Sequence, residues 1–487
     1  MSKQDNDTAY WAACSECQGR GKRSRRLRKK VRLQYQKDLA SYENQGSEGD
    51  APERPKGHLE SCWKCQGAGV LPTGGYPSVN TDYPNVAIIG GGIGGVALAV
   101  ACLQRGIPFS LYERDASFDV RSQGYGLTLQ QASKAIEGLG IFSLADGVVS
   151  TRHIVHTPEG NIVGEWGMRK WGHDGSKAGP KRTNVHIARQ LLRRELIQQL
   201  GGPDAIKWGH QLESFATTPK GAVELTFNVA GELKYDTADL IVGADGIRSV
   251  VRRQLIGEDQ SPLRYLGCIV ILGICSLEAL GDVTSELLDS ATVFQTANGN
   301  ERIYIMPYTA DSVMWQLSFR MSEQAALDLS REGPSALKSE ACRRTPWHEP
   351  IPQILSATDS SLVSGYPVYD RALLTSDQLA SVGPATLIGD AAHPMSPFKG
   401  QGANQAILDA LVLARDIANG CWSKSGWREV GIRDSVLTSY ESEMLARSAV
   451  KVQDSAAAAE FLHSDIVLQK VDEPRGRSLE VARVKTR

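Results

Sequence analysis

Short apolar strands and amphipathic helices alternate along most of the chain. Residues 86–89 form a fully apolar run, a glycine-rich turn and a long apolar stretch follow, and 108–112 form a second short run. Strand, turn, helix and strand in this order predict one βαβ unit. Further helices are predicted over 190–200 and 402–418, and further strands over 240–243, 269–274, 302–306, 312–319 and 385–388.

The two ends of the chain differ from this α/β body. Residues 1–80 contain two CxxC pairs, a basic run and a polar segment at 41–57 that is typical of a solvated linker. The segment 465–487 is charged and only weakly periodic, so we expect a loosely held tail there.

Composition places the protein among globular chains. Lys+Arg 54 against Asp+Glu 55 gives a net charge of −1, so nucleic acid is not the expected partner. A hydrophobic content of 41% with 22% charged residues excludes a wholly disordered chain and a multi-span membrane protein. The uncharged run 83–104 is interrupted by a glycine cluster, which argues against a membrane span. Without a secretory pattern at the start, we expect a reducing, cytoplasmic location.

The turn after the first strand carries a dinucleotide-binding pattern. Gly90, Gly92 and Gly95 satisfy GxGxxG, and Glu113 follows at the end of the second strand. The glycines permit a tight turn, close approach of the backbone to a pyrophosphate and close helix packing, and the carboxylate can accept hydrogen bonds from a ribose. An acidic residue favours the unphosphorylated ribose that FAD and NAD share. The alternative is a glycine-rich loop without a ligand.

Two later motifs narrow the choice of cofactor. An Asp-Gly pair at 245–246 follows one predicted buried strand, and a Gly-Asp pair at 389–390 with a glycine-rich loop at 397–404 follows another. In this order and at these separations, the three motifs resemble those of the class A flavoprotein monooxygenases of the para-hydroxybenzoate hydroxylase type. The resemblance extends over about residues 84–460.

The resemblance implies an α/β fold in which a mixed-sheet substrate domain interrupts a Rossmann-like FAD-binding domain of the glutathione-reductase type. The FAD-binding domain would comprise 84–190, 191–262 with the Asp-Gly motif and 371–460 with the Gly-Asp motif. The substrate sheet would comprise 263–370. A cysteine module at 1–80 would precede these domains, and a tail at 461–487 would follow them.

The resemblance also implies how FAD is held. Asp390 would bind the ribityl hydroxyls, Pro394 and Pro397 would pack against the flavin ring, and backbone N–H groups at the start of the helix at 402 would face its N1–C2=O edge. The implied cofactor-binding residues are Gly90, Gly92, Ile93, Gly94, Gly95, Glu113, Arg114, Arg189, Asp245, Asp390, Pro397, Gly400, Gly402, Ala403 and Asn404.

Simpler roles compete with some of these assignments. Asp390 could cap a helix, Arg189 could be a solvated residue of a first helical turn, and Asp245 could only form a turn. Arg193 and Arg194 are expected to be surface charges.

The implied reaction uses NAD(P)H and O2. NAD(P)H would reduce FAD, and a flavin C4a-hydroperoxide would hydroxylate an aromatic or polycyclic small molecule. No second GxGxxG occurs in the chain, which favours transient binding of the nicotinamide. Two alternatives are a flavin-dependent reductase of an alkene or polyprenyl substrate, and a non-enzymatic zinc-dependent binding protein with a vestigial flavin fold.

The predicted substrate sheet supplies candidates for substrate contact. Alternation puts Tyr304 and Met306 on one face, opposite Ile303 and Ile305. For each candidate a plain packing role is the simpler alternative, and no catalytic base is identified. The substrate-contact candidates are Tyr265, Cys268, Tyr304, Met306, Tyr308 and Gln316, and the weak catalytic candidates are Tyr265, Tyr304, Gln316 and His393.

The N-terminal segment carries a duplicated CxxCxGxG motif. Its cysteines, Cys14, Cys17, Cys62 and Cys65, can present four thiolates tetrahedrally to one zinc ion. The motif is similar to the cysteine-rich segment of J-domain co-chaperones, so we expect a zinc module at the N-terminus. Metal-free cysteines or a disulfide pair are the alternatives. The interval 18–37 holds ten Lys or Arg and no Asp or Glu, which suits either a solvated helix face or a surface for a protein partner or self-association.

Overall fold

A five-stranded parallel sheet forms the first layer of the molecule. The computed structural model describes residues 10–25, 27–44, 52, 55, 57–120, 124–169 and 184–475. The fully buried strand Val86–Ile89 pairs on both sides, because it has no polar side chain to solvate. In spatial order the strands are Ile206–Lys207, Phe109–Tyr112, Val86–Ile89, Leu240–Gly243 and Ala385–Leu387.

A seven-stranded mixed sheet forms the second domain. It is antiparallel except where Thr292–Ala297 pairs in parallel with Arg152–His156. Its spatial order is Ile162–Trp166, Arg152–His156, Thr292–Ala297, Glu301–Thr309, Ser312–Arg320, Leu263–Ser276 and Val363–Arg371. Two of these strands precede residue 263, so the sheet draws on chain from outside the predicted 263–370 interval.

Four smaller sheets complete the strands. Two have three strands each: Gly126–Leu129, Val185–Ala188 and Val148–Val149 form one, and Gln211–Thr217, Val223–Val229 and Glu232–Ala238 form the other. In the cysteine module, Tyr10–Ala13 pairs with Val70–Thr73, and Lys22–Ser24 pairs with Leu59–Ser61.

Helices cover both domains. Two of them pack against each other beside the parallel sheet: the glycine-loop helix, Ile93–Leu103, and the long helix, Gly402–Gly420. The other α-helices are Lys29–Asn44, Ala132–Ala135, Arg189–Gln198, Val250–Ile256, Glu323–Glu332, Pro334–Arg344, Ile351–Ala357, Ser376–Leu379, Trp427–Val430 and Thr438–Phe461, the last preceded by a π-helical turn at Arg433–Leu437. Single 3-10 turns occur at Phe118–Val120, Ile136–Leu139, Pro203–Ala205, Glu278–Leu280, Glu286–Leu288, Ser360–Leu362, Gly389–Ala391, Pro397–Lys399 and Asp465–Leu468.

The predicted elements occur with shifts of a few residues at their ends. The strand predicted at 240–243 is confirmed, and the strands predicted at 269–274, 302–306 and 312–319 lie within longer observed ones. No helix among the described residues is both long and apolar enough to cross a bilayer.

The segment predicted as a loosely held tail is packed at its start. Val467 is fully buried, and Arg475, only 4% exposed, donates hydrogen bonds to the carbonyl oxygens of Val471 and Val163 at 2.9 and 3.2 Å. The prediction is therefore wrong for 465–475. Residues 476–487 lie outside the described part of the chain.

The cysteine module is docked on the C-terminal ends of the glycine-loop helix and the long helix. The backbone N–H of Ala13 donates to the carbonyl oxygen of Gln104 at 2.9 Å. Gln18 accepts from Arg105 Nη2 through its carbonyl oxygen at 3.5 Å, and from Asn419 Nδ2 through its side-chain oxygen at 3.1 Å. The module is thus held by hydrogen bonds to the rest of the protein.

Candidate active site

A cavity of about 690 Å³ lies between the parallel sheet and one face of the seven-stranded sheet. Its size suits an organic cofactor with a small-molecule substrate. On the parallel-sheet side it is lined by the predicted cofactor residues Gly92, Ile93, Gly94, Arg189, Asp390, Pro397, Gly400, Gly402, Ala403 and Asn404, together with Pro394.

The glycine motif has the geometry that its spacing predicts. Gly90 has φ +110°, and a Cβ there would lie 2.5 Å from the carbonyl oxygen of Ala244. A Cβ on Gly95 would lie 1.9 Å from the carbonyl oxygen of Gly90, so this glycine lets the helix approach the strand. Gly92 is different, because its Cβ position meets only Arg189 Nη2, at 3.9 Å, and faces the cavity. The space beside Gly92 therefore fits a phosphate group at the helix N-terminus.

Glu113 lies at the end of its strand, as predicted, and holds the glycine loop. Its Oε2 accepts from the backbone N–H of Gly91 at 2.8 Å, and its Oε1 accepts from that of Asp115 at 3.0 Å. The expectation that Arg193 is a surface charge is wrong. Arg193 is 4% exposed, donates to the carbonyl oxygen of Gly91 at 2.6 Å and lies 3.8 Å from Glu113 Oε2, since helix periodicity turns it toward the loop. Arg114, by contrast, is exposed.

Asp390 and Arg189 place opposite charges at the cavity wall. The Asp390 side chain is open to the cavity but enclosed by the protein. Burial raises the pKa of Asp390, and the electrostatic interactions with nearby His393 and Arg189 partly oppose the increase. Asp390 has no hydrogen-bond partner among the described side chains, so its oxygens are available to hydroxyl donors of a ligand.

Asp409, which the sequence motifs did not indicate, holds the Gly-Asp turn in place. Its Oδ2 accepts from the Gly389 backbone N–H at 2.8 Å and lies 2.7 Å from His393 Nε2, while its Oδ1 accepts from Arg447 Nη2 at 2.7 Å. Burial alone would raise the pKa of Asp409, but His393 and Arg447 lower it below its usual value. A carboxylate in the middle of an apolar helix was the available sequence signal.

His393 does not line the cavity. Its side chain is 3% exposed and paired with Asp409. His393 was a weak catalytic candidate, but its position is that of a residue that supports the loop.

Asn404 braces the glycine-rich loop with its whole side chain. Its Oδ1 accepts from the backbone N–H groups of Gln130 and Ala132 at 2.9 and 3.0 Å, and its Nδ2 donates to the carbonyl oxygens of Thr128 and Gly400 at 2.9 and 2.8 Å. The side chain therefore fixes the start of the long helix, and only the backbone near 402–404 is free to face a ligand.

Asp245 turns away from the cavity. Its Oδ1 accepts from Ser249 Oγ at 2.5 Å, and its Oδ2 accepts from the backbone N–H of Val250 at 2.7 Å. Burial raises the pKa of Asp245, while these hydrogen bonds act in the opposite direction. The carboxylate thus caps the helix Val250–Ile256, and Gly246, next to it, lines the cavity instead.

The seven-stranded sheet supplies the opposite wall of the cavity. Tyr304, Met306 and Gln316 line it, while Ile303 and Ile305 lie in the apolar core on the other face. The alternation along this strand is confirmed. Burial raises the pKa of Tyr304 to about 12, so its hydroxyl keeps its proton at neutral pH.

Three other substrate-contact candidates lie outside the cavity lining. The Tyr265 hydroxyl donates to the carbonyl oxygen of Met321 at 2.7 Å, the Tyr308 hydroxyl donates to that of Gly124 at 2.8 Å, and Cys268 is fully buried in a separate apolar cluster. A β-bulge between 265 and 269 shifts the register of the strand at the place where Tyr265 and Cys268 lie.

Two histidines missed by the sequence analysis also line the cavity. His186 and His153 both contact Ser150 Oγ, at 2.7 and 3.2 Å, and His186 Nδ1 lies 3.0 Å from Thr128 Oγ1. Burial lowers the pKa of His153 to about 4 and that of His186 to about 3. Both imidazoles are therefore neutral at physiological pH.

The four cysteines of the N-terminal motif converge in a second site. All four are buried, and their sulfur atoms lie within 4.8 Å of one another. Cys14 Sγ is 3.9 Å from Cys62 Sγ, and Cys17 Sγ is 3.6 Å from Cys65 Sγ, distances too long for disulfide bonds. The cluster is compatible with a metal module.

Comparison with known proteins assigns the chain to a family. Residues 83–455 match the family model described as FAD binding domain. Aurachin C monooxygenase/isomerase of Stigmatella aurantiaca is 32% identical over 335 residues, covering 68% of this chain and 79% of that protein. The 3-amino-4-hydroxybenzoate 2-monooxygenase PtnB3 of Streptomyces platensis is 26% identical over 347 residues, covering 69% and 80%.

Solved structures share the fold. The 2,6-dihydroxypyridine-3-hydroxylase of Arthrobacter nicotinovorans matches with a TM-score of 0.64 and 20% identity, covering 80% of this chain and 98% of that one. Klebsiella pneumoniae HpxO, complexed with FAD and uric acid, matches with a TM-score of 0.62 and 21% identity, covering 82% and 92%. With the family match and the monooxygenase relatives, these findings show that the chain belongs to the FAD-binding-domain family and is an FAD-dependent monooxygenase.

Proposed function

We propose that the protein uses NAD(P)H and O2 to hydroxylate an aromatic or polycyclic small molecule. The observation that carries this proposal is the single cavity that runs from the glycine loop and Asp390 to the polar face of the seven-stranded sheet. A cofactor on one wall and a substrate on the other would share one space. The names of similar proteins, which include hydroxylases of a phenazine dicarboxylic acid and a dihydroxypyridine, support the substrate class.

The residues on the parallel-sheet side fit FAD. Gly92 leaves room for the pyrophosphate, Asp390 offers free carboxylate oxygens to the ribityl hydroxyls, and Arg189 supplies a positive charge close to both. The backbone N–H groups at the start of the long helix would stabilise negative charge on the flavin. When bound, FAD supplies electron transfer from NAD(P)H to O2 and oxygen transfer to the substrate.

The opposite wall would orient the substrate and exclude water. Tyr304 keeps its hydroxyl proton and can donate a hydrogen bond, Gln316 can donate or accept, and Met306 supplies apolar surface. Positioning of this kind limits loss of the oxidising equivalent to solvent. The chain contains no second GxGxxG motif, which supports transient binding of NAD(P)H.

The test measures oxygen transfer directly. Purified FAD-loaded protein is given NADPH or NADH, 18O2 and a panel of phenols, purines and polyketides. We expect at least one compound to stimulate NAD(P)H oxidation and to gain one 18O atom by mass spectrometry. Failure of the whole panel to stimulate oxidation would count against the proposal. Reduction of an alkene substrate by NAD(P)H without O2 uptake would instead support the reductase alternative.

We also propose that Cys14, Cys17, Cys62 and Cys65 hold one structural zinc ion. Four sulfurs at about 2.3 Å from a tetrahedral zinc lie about 3.8 Å apart, close to the 3.9 and 3.6 Å separations of the two cross-motif pairs. The backbone N–H groups of Gly21 and Gly69 donate to Cys17 Sγ and Cys65 Sγ at 3.3 and 3.2 Å, which supports thiolates there.

The proposed location is a reducing compartment, such as the cytoplasm. All nine cysteines of the chain are free in the structure, including those buried outside the cluster. Unpaired cysteines are the usual state where thiols are kept reduced.

The cysteine module also offers its exposed helix Lys29–Asn44 as a surface for a partner, in keeping with its basic sequence.

A further inference from the structure

Three of the seven methionines of the chain line the cavity. Met306 and Met314 lie directly opposite each other on the paired strands Glu301–Thr309 and Ser312–Arg320, on the wall proposed for the substrate. Met395 follows Pro394 on the cofactor side. A thioether sulfur is soft and polarizable, and oxidants convert it to a sulfoxide. The substrate wall therefore carries two oxidisable sulfur atoms of the protein itself.

The two sulfur atoms of this wall differ in their surroundings. Met314 Sδ accepts a hydrogen bond from the backbone N–H of Gly126 at 2.9 Å, which engages a lone pair that an oxygen atom would need. Met306 lies in an apolar cluster, and its sulfur has no hydrogen-bond partner among the described residues. Its methyl group packs on Gly126, where an added Cβ would lie 2.4 Å from Met306 Cε. Met306 therefore has the more available sulfur of the two.

Bulk solvent scarcely reaches these side chains. Met306 is 2% exposed and Met314 is 3% exposed, although both line the cavity. An oxidant formed in the cavity meets Met306 directly, whereas an oxidant dissolved in the solvent meets the exposed methionines first. Tyr304, on the same face, keeps its phenol proton at neutral pH because burial raises its pKa to about 12. A thioether has no proton to lose, so its lone pairs are available at any pH.

We propose that Met306 is a modification site, where the oxygen-transfer chemistry of the protein makes methionine sulfoxide when no substrate occupies the cavity. The proposal rests on the proposed function. The O–O bond of O2 breaks, one oxygen atom forms a bond to Met306 Sδ, and the other leaves as water. NAD(P)H supplies two electrons and the sulfur supplies two. NAD(P)H, one proton, O2 and the thioether thus become NAD(P)+, water and the sulfoxide.

The modification would limit turnover that is not coupled to a substrate. A sulfoxide is polar where the thioether was apolar, so the modified wall binds an aromatic ring less well. A substrate in the cavity takes the oxygen atom instead and protects Met306. The residue then records, in its own covalent state, how often the protein has reacted with O2 in the absence of substrate.

The test follows the oxygen atom. FAD-loaded wild-type protein is kept under 18O2 with NADPH or NADH, catalase and no substrate, and the flavin is photoreduced before 18O2 is admitted if neither nucleotide is oxidised. Mass spectrometry of the digested protein then measures the 18O content of each methionine. We expect Met306 to gain one 18O atom, Met314 and Met395 to gain less, and methionine sulfoxide reductases to remove the label.

Two methionines outside the cavity are internal controls. Met168 is 47% exposed and reports peroxide that escapes into the solvent, and Met444 is fully buried elsewhere. We expect neither to be labelled above a sample that receives no reductant. Met306→Leu removes the sulfur at nearly constant volume and should abolish the label, whereas Met321→Leu, outside the cavity lining, should leave labelling of Met306 unchanged. The wild-type measurement decides the matter even if Met306→Leu does not fold.

Several results would overturn the proposal. Label that falls on Met168 before Met306 would show oxidation by released peroxide. Preferential labelling of Met314 or Met395, or consumption of O2 with no label on Met306, would also contradict it. Failure of the proposed function is distinct, because it would appear as a panel in which no compound stimulates NAD(P)H oxidation or gains 18O, and the Met306 measurement uses no substrate.

Discussion

Replacement of Asp409 by asparagine tests whether the Gly-Asp turn depends on one buried carboxylate. Asp409 is fully buried and bonded to Gly389, His393 and Arg447. The asparagine amide keeps one acceptor oxygen, so at least one of the charged or polar donors loses its partner. Breaking a buried ion pair costs about 3–5 kcal/mol, and loss of two of the charge-assisted hydrogen bonds to Asp409, at about 1.5–3 kcal/mol each, would cost about 3–6 kcal/mol.

The assay is urea unfolding of the FAD-loaded Asp409→Asn protein, followed by flavin fluorescence and circular dichroism. We expect the free energy of unfolding to fall by about 3–5 kcal/mol and flavin to be released at lower urea than in the wild type. Asp416→Asn is the control on the same helix. Asp416 is partly exposed and pairs with its neighbour Arg415 at 3.4 Å, so its loss should cost less than about 1 kcal/mol.

Low pH should remove the contribution of the Asp409 carboxylate to the stability of the folded protein. Because its pKa is lower in the folded protein than in the unfolded chain, its stabilisation is fully present above the ordinary carboxyl pKa of about 3.9. It is lost as the pH falls through the folded-state pKa. The stability gap between wild type and Asp409→Asn should therefore narrow at low pH. Two results together would refute the reasoning. They are a free energy of unfolding of Asp409→Asn within about 1 kcal/mol of the wild-type value at neutral pH, and flavin release at the same urea concentration as in the wild type.

Three further substitutions test other parts of the structure. Gly95→Ala should prevent flavin binding or folding, because its Cβ would lie 1.9 Å from the carbonyl oxygen of Gly90, and flavin content of the purified protein measures this. Asp390→Ala should leave the fold intact by circular dichroism but weaken FAD binding by about 0.5–1.5 kcal/mol for each lost hydrogen bond, measured by titration of the apoprotein, and unchanged affinity would contradict the assignment. Cys62→Ser should lower zinc from one per chain toward none by elemental analysis, whereas Cys421→Ser, buried outside the cluster, should not.

Local patterns predicted the parts of the site that local geometry determines. The glycine spacing predicted a tight turn and a close helix contact. Gly90 lies in the turn, and Gly95 makes the close contact. Alternation along one strand separated Tyr304 from its neighbours Ile303 and Ile305 because a strand turns its side chains to opposite faces in sequence.

Contacts between segments that are distant in the chain could not be predicted from such local patterns. The burial of Arg193 depends on the carbonyl oxygen of Gly91, about a hundred positions earlier in the chain. Asp409 becomes a support of the turn only because Arg447, on another helix, reaches it from the opposite side. Each of these partnerships is set by how sheets and helices pack, which the order of residues along one element does not reveal.

The docking of the cysteine module has a practical consequence for handling the protein. The module is hydrogen-bonded at the C-terminal end of the 11-residue glycine-loop helix, whose N-terminal end faces the cavity. A helix of this length is rigid and about 16 Å long. Release of the C-terminal end of this helix from the module would therefore shift its N-terminal end at the cavity. If the cysteine cluster holds the proposed zinc ion, a chelator in the purification buffer is expected to lower the flavin content of the preparation without entering the cavity.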